Sequence, residues 1–228
     1  MIFEKNEFIV CMVLIIMYIL INSICINLFG LYDYRFVIIN TLFSIFLIVL
    51  MLVVKRIKYY GFRKISECNK YLYFIPLILI VSVNLWNGIN INNSVSEIIF
   101  FILNMINVGF IEEVIFRGFL FKMMEKDNVK YAIIISSLTF GIGHIVNLLN
   151  GADFVLTLIQ VCYAISIGYL FVIIFYKSKC IIPCILAHCI MNSLSIFNID
   201  NTLSLYIVPV FLIIVPLIYA LYLNKTIK

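Results

Sequence analysis

Eight apolar runs set the terms for this chain: about 8 to 29, 36 to 54, 71 to 87, 97 to 121, 131 to 149, 154 to 176, 181 to 197 and 203 to 223. A helix needs roughly 20 residues to cross about 30 Å of hydrocarbon, and most of the runs reach that length. In lipid every backbone N–H and C=O must be bonded within its own segment or within a closed barrel, and barrel strands alternate in polarity instead of staying apolar. The expectation is an all-α integral membrane protein, a bundle of about eight transmembrane helices around a polar intramembrane cavity. The third and seventh runs are short, and the fourth is interrupted by its own charges. With 65% hydrophobic residues, 12% charged residues and a mean hydropathy of +1.18, the 228 residues carry too little charge to coat a water-soluble domain.

Lysine and arginine positions orient such a bundle, because cytoplasmic loops hold the excess. With the N terminus inside, Lys5, the group from Lys55 to Lys70, then Lys122, Lys126 and Lys130, then Lys177 and Lys179, and finally Lys225 and Lys228 all fall on the inner face. Arg35 stands alone outside and Arg117 lies within the membrane. A multi-pass protein of the cytoplasmic membrane with both termini cytoplasmic is expected. The net charge of +5 is then an orientation signal; nucleic acid is not an expected partner, since no soluble element offers a basic face. The first run follows Glu4, Lys5 and Glu7 and lacks a small-residue cleavage site, so it reads as a retained helix and not as a secretory signal.

Repeats, low-complexity tracts and long linkers are not seen, so residues 1–228 read as one membrane domain, with the basic loop from Lys55 to Lys70 as an inner-face anchor. Seven cysteines form no CxxC pair and lie mostly in the apolar runs, as small hydrophobes do. Cys184 shares a helix face with His188, which leaves a ligand role open. Pro76, Pro183, Pro209 and Pro216 are placed to start or kink helices.

Against this background Glu112, Glu113, Arg117, His144 and His188 are out of place. A charge at the bilayer centre costs roughly 2.5 to 3.5 kcal/mol on insertion scales, so such residues mark function by default. At 1.5 Å per residue, Glu112, His144 and His188 stand roughly 15, 21 and 14 Å above the inner-face lysines, in one layer of three different helices. A lone buried histidine is more often a hydrogen-bonded structural residue; convergence of several ionisable groups reverses that reading. Glu113 and Arg117 are spaced i, i+4 for an ion pair, which leaves Glu112 available as a base. His188 shares a face with Asn192, and His144 with Phe140. Gly109, Gly118, Gly141, Gly143 and Ala187 nearby allow helices to approach closely. A carboxylate base, two imidazoles and an amide donor are the parts needed to activate water and stabilise an oxyanion, as in hydrolysis of an acyl bond. Asn84, Asn104, Asn107 and Asn147 read as interhelical hydrogen-bonding groups, with Asn147 also placed to line a cavity.

Glu112-Glu113-Val-Ile-Phe-Arg117, Phe140-Gly-Ile-Gly-His144 and His188-Cys-Ile-Met-Asn192, in this order on successive helices, resemble the three motifs of the CPBP family of intramembrane proteases. That family includes the type II CAAX prenyl endopeptidases and bacterial proteins linked to bacteriocin processing and self-immunity. The resemblance covers about residues 97 to 200, the expected catalytic core. It implies Glu112 as the water-activating base helped by His144, His188 and Asn192 as the oxyanion site, and Glu113 with Arg117 as organisers of the pocket. The substrate would be a membrane-associated peptide or protein, with a prenylated cysteine, a bacteriocin leader and a signalling-peptide precursor all open. Members are often labelled metalloproteases, so zinc held by Glu112, His144 and His188 and a metal-free glutamate mechanism both stay open. A proton-coupled transporter and a catalytically silent scaffold are the rival readings; the transporter would call for inverted repeats, and none is seen.

Overall fold

Four of the long helices open at a residue whose side chain accepts a hydrogen bond from one or two of the free backbone N–H groups of the first turn. In the computed structural model, which describes residues 6–64 and 74–227, these residues are Asp33, Ser94, Asn128 and Asp153. The Ser94 cap is reciprocal, its own N–H donating to the Glu97 carboxylate at 2.8 Å. Hydrogen bonds from the side chain and backbone of Arg35 hold the Asp33 carboxyl down at about 2, so it caps as an anion.

Every regular element among the described residues is helical. Helices α1 (Glu7–Phe29) and α2 (Tyr34–Val53) are followed by the short α3 (Leu77–Val81) with a 3-10 turn (Val83–Leu85). Next come α4 (Val95–Glu125) and α5 (Val129–Gly143), the latter continuing as a 3-10 stretch (His144–Asn150). The chain ends with α6 (Phe154–Ser178), α7 (Ile182–Leu194, closed by the turn Ser195–Phe197) and α8 (Val208–Thr226). Six of these eight are long and apolar enough to cross a membrane. The two short apolar runs form α3 and α7, and α7 with its closing turn is roughly 24 Å long. Residues 71–73 of the third run, and Lys5, Cys68, Lys70 and Lys228, lie outside the described residues.

Short as α3 is, described residues on both sides of it bond to successive points along α7. Gly61 O accepts from Ile181 N at the start of α7 (3.0 Å), Asn84 Nδ2 donates to Met191 O midway (2.7 Å), and Asn90 N donates to Phe197 O at its end (2.9 Å). At one end of the bundle Glu7 meets Arg56 at 2.8 Å and also Lys126, while Glu125 meets Lys179 at 2.9 Å and also Lys122. These residues come from segments that the basic pattern assigned to a single face. At the opposite end Ser23 donates to Asn150 at 2.7 Å.

Outward faces remain apolar: Phe8, Leu42, Val53, Ile78 and Ile218 are among the many large side chains left exposed, as lipid contact requires. Inside, α4 is the central helix, packed on α7 and α2, with its lower half against α1, α5 and α6. Polar bonds tie α2 and α4 together: Asn40 Nδ2 donates to Asn104 Oδ1 at 2.7 Å and Ser44 to Asn107 at 2.8 Å. Of the small residues beside the ionisable positions, two allow a close approach. A Cβ on Gly109 would lie 3.0 Å from Cys189 N, and one on Gly141 would lie 2.8 Å from Ile165 N. Gly118 and Gly143 have no such neighbour. Pro76, Pro183 and Pro209 stand at helix starts, and Pro216 is inside α8.

Candidate active site

Glu112 and Glu113 close the α-helical part of α4, and the next eight residues, Val114–Phe121, form a π-helical stretch. The i→i+5 bonding of a π segment widens the helix and is frequent at functional sites. All eight residues are buried, so this length of α4 is surrounded by other helices and has no lipid-facing side.

Five side chains form a continuous chain of contacts across this region. The Tyr18 hydroxyl donates to Glu112 Oε1 at 2.5 Å, and Glu112 Oε2 lies 3.3 Å from His188 Nε2. The other ring nitrogen, His188 Nδ1, is 2.8 Å from Glu113 Oε1, and that same oxygen is 3.1 Å from Arg117 Nη1. Glu113 and Arg117 are fully buried, and they pair as the i, i+4 spacing anticipates. Arg117 is held by more than its acid: Nη2 donates to Gly168 O at 3.3 Å, and the guanidinium lies over the Phe140 ring at 4.2 Å.

Proton bookkeeping follows from these partners. A carboxylate only accepts, so the Nδ1–H of His188 donates to Glu113. On the other side, Nε2 and Glu112 Oε2 need one proton between them, carried either by an imidazolium or by a carboxyl group. This geometry differs from the expected oxyanion site, because both ring nitrogens of His188 face carboxylates.

A cavity of about 710 Å³ opens on this chain of contacts and is lined by Tyr18, Glu112, Phe140, His144, His188 and Asn192 among others. His144 sits where α5 gives way to its 3-10 extension, and its Nδ1 is 3.1 Å from Phe140 O. A carbonyl accepts, so Nδ1 carries the hydrogen and Nε2 remains for the cavity. The Asn192 carboxamide makes no hydrogen bond with the described residues. The Phe140 ring touches both imidazoles, at centroid distances of 5.3 Å to His144 and 5.7 Å to His188. Asn147 donates to Gln160 at 2.9 Å and lines the cavity as well.

No three or more His, Cys, Asp or Glu side chains among the described residues are arranged to hold a metal ion, so Glu112, His144 and His188 do not come together as a ligand trio. Cys184 is buried, with its thiol on Phe171 O at 3.3 Å. The cysteines described carry free thiols.

Tyr18 is the partner that the motifs do not reveal. It stands in the first apolar run, with no motif around it. Depth holds the available signal: Tyr18 is roughly 16 Å along α1 from the inner-end residue Glu7, the same layer as Glu112.

These contacts join one glutamate pair, its arginine and a histidine three helices further on in the order read from the motifs. Residues 94–194 match the family model of type II CAAX prenyl endopeptidase Rce1-like proteins. The Rce1-like segment starts at the Ser94 cap of α4 and ends with α7, and so contains all three motifs but not Tyr18. No curated protein and no solved structure matches the chain. At the level of the family, the match supports an intramembrane endopeptidase.

Proposed function

We infer that this chain hydrolyses a peptide bond of a membrane-associated peptide or protein, with water activated by Glu112. The observation that carries this reading is the placement of Glu112 on the cavity wall, with one oxygen held by Tyr18 and the other facing the imidazole of His188. A water molecule beside Glu112 gives its proton to the carboxylate as its oxygen attacks the carbonyl carbon. The Asn192 carboxamide donates to the carbonyl oxygen as it gains charge, and His144 Nε2, which carries no hydrogen, accepts from the attacking water and helps to orient it. The proton then passes to the leaving nitrogen, and the Glu112–His188 pair returns to its starting state. Glu113 and Arg117 fix the ring of His188 from behind, where the substrate does not reach.

Peptide hydrolysis needs no gradient, whereas transport needs two compartments. Purified protein in detergent is expected to cleave candidate peptides; failure to cleave, together with movement of protons or solute in vesicles, would favour a transporter.

Tyr18 acts through Glu112 and is a positioning residue. Tyr18→Phe removes only the hydroxyl, so kcat should fall about tenfold, the scale of one lost hydrogen bond to a charged group, with KM within about twofold. A rise in KM at unchanged kcat would mean that Tyr18 serves binding instead.

The protein lies in the cytoplasmic membrane with Lys64 on the cytoplasmic side and Asn92 outside, as the lysine and arginine asymmetry requires. In a background without native cysteines, Asn92→Cys should react with an impermeant reagent in intact cells and Lys64→Cys should not. The opposite pattern overturns this orientation.

A further inference from the structure

Helix α1 walls one side of the cavity yet is lightly built into the bundle. Its residues Ile15, Tyr18, Ile19, Asn22, Ser23 and Ile26 recur at helical spacing and line the cavity. Four of its 23 residues are buried, against twelve of 25 in α6. Lipid tails are as apolar as the outer face of α1, so its place depends on packing and on hydrogen bonds to its neighbours.

Other seams around the cavity are closed by backbone. At Gly109 a Cβ would lie 3.0 Å from Cys189 N, which shuts α4 on α7, and at Gly141 it would lie 2.8 Å from Ile165 N, which shuts α5 on α6. A short link joins α1 to α2, and Asn40 Nδ2 donates to Asn22 Oδ1 at 3.3 Å. The seam between α1 and the 3-10 stretch after α5 is different. Among the described residues its side-chain hydrogen bonds converge on one atom, Asn150 Oδ1, which accepts from Ser23 Oγ at 2.7 Å and Asn27 Nδ2 at 2.8 Å. One of these bonds is partly buried and the other exposed, so water can take their place. The same helix carries Tyr18, five residues before Ser23, with its hydroxyl on Glu112. A movement of α1 away from Asn150 therefore also loosens the grip on the base.

Resting on the peptidase reading above, we propose that this seam is a side door, latched by Asn150, through which an apolar substrate segment already in the bilayer enters the cavity. Opening draws Tyr18 from Glu112 and closing returns it, so the base is fully held only while the door is shut.

The test uses the full-length protein in vesicles, in a background without native cysteines, carrying Ser23→Cys and Asn150→Cys. One peptide is presented in two forms, free in solution or fused to an apolar helix that anchors it in the same vesicle. The free form reaches the cavity at the end lined by the interhelical residues Ala152 and Asn198. Oxidation to the cross-linked state should slow cleavage of the anchored form at least tenfold, reversibly on reduction, and leave the free form within twofold. Asn150→Ala, which removes the latch, should raise the ratio of anchored to free cleavage severalfold. Undiminished cleavage of the anchored form by the cross-linked protein, equal slowing of both forms, or an unchanged ratio in Asn150→Ala overturns the side door and leaves the peptidase reading intact. Cleavage of neither form by the reduced protein overturns both.

Discussion

Glu112→Gln is expected to yield a folded protein whose turnover is lower by about 10²- to 10⁴-fold, roughly 3 to 5 kcal/mol of barrier, as removal of a general base typically costs. The geometry makes this an unusually clean substitution. The glutamine oxygen still accepts from Tyr18, and its amide group can donate to His188 Nε2, so both contacts of the carboxylate survive in neutral form. Only the capacity to take a proton from water is gone. Thermal midpoint, expression level and single-turnover cleavage should be measured on the same preparation. Retained cleavage would remove Glu112 from the chemistry.

The adjacent Glu113→Gln should fail in a different way. Glu113 neutralises a fully buried guanidinium, and a buried charge that loses its partner costs about 3 to 5 kcal/mol. On the scale of a chain of this size that lowers the midpoint by roughly 6 to 20 °C. The site has no slack to absorb the loss, because Arg117 Nε already makes no hydrogen bond among the described residues. Since Glu113 also holds His188 Nδ1, activity should fall too, but as a consequence of a loosened ring. Identical stability and identical residual activity for the two variants would refute the separate roles.

Much of this architecture is legible in the amino-acid order alone. Long apolar runs report helices directly, and basic residues report loop alternation, which the ion pairs of Glu7 and Glu125 at one end of the bundle reflect. The i, i+4 spacing of Glu113 and Arg117 is a local property, and the pair forms as that spacing implies. What depends on three dimensions is less accessible. A 3.6-residue period gives no hint that Val114–Phe121 is π-helical, because its burial is set by neighbours on every side. The aim of the His188 ring follows from its contact with two consecutive glutamates, which a motif cannot encode. Runs three and seven are short in sequence, yet backbone and asparagine bonds tie Gly61, Asn84 and Asn90 to successive points along α7, contacts that run length does not reveal.

The grip on Glu112 has a consequence for biosynthesis. Tyr18 precedes Glu112 by 94 residues, and His188 follows Glu113 by 75. During co-translational insertion the first helix reaches the bilayer long before the glutamates leave the ribosome, and the glutamates wait again for the seventh helix. The nascent chain therefore carries Glu112 without His188 while about a third of its 228 residues is made, and on the proposed mechanism the assembled site appears only once most of the polypeptide is in place.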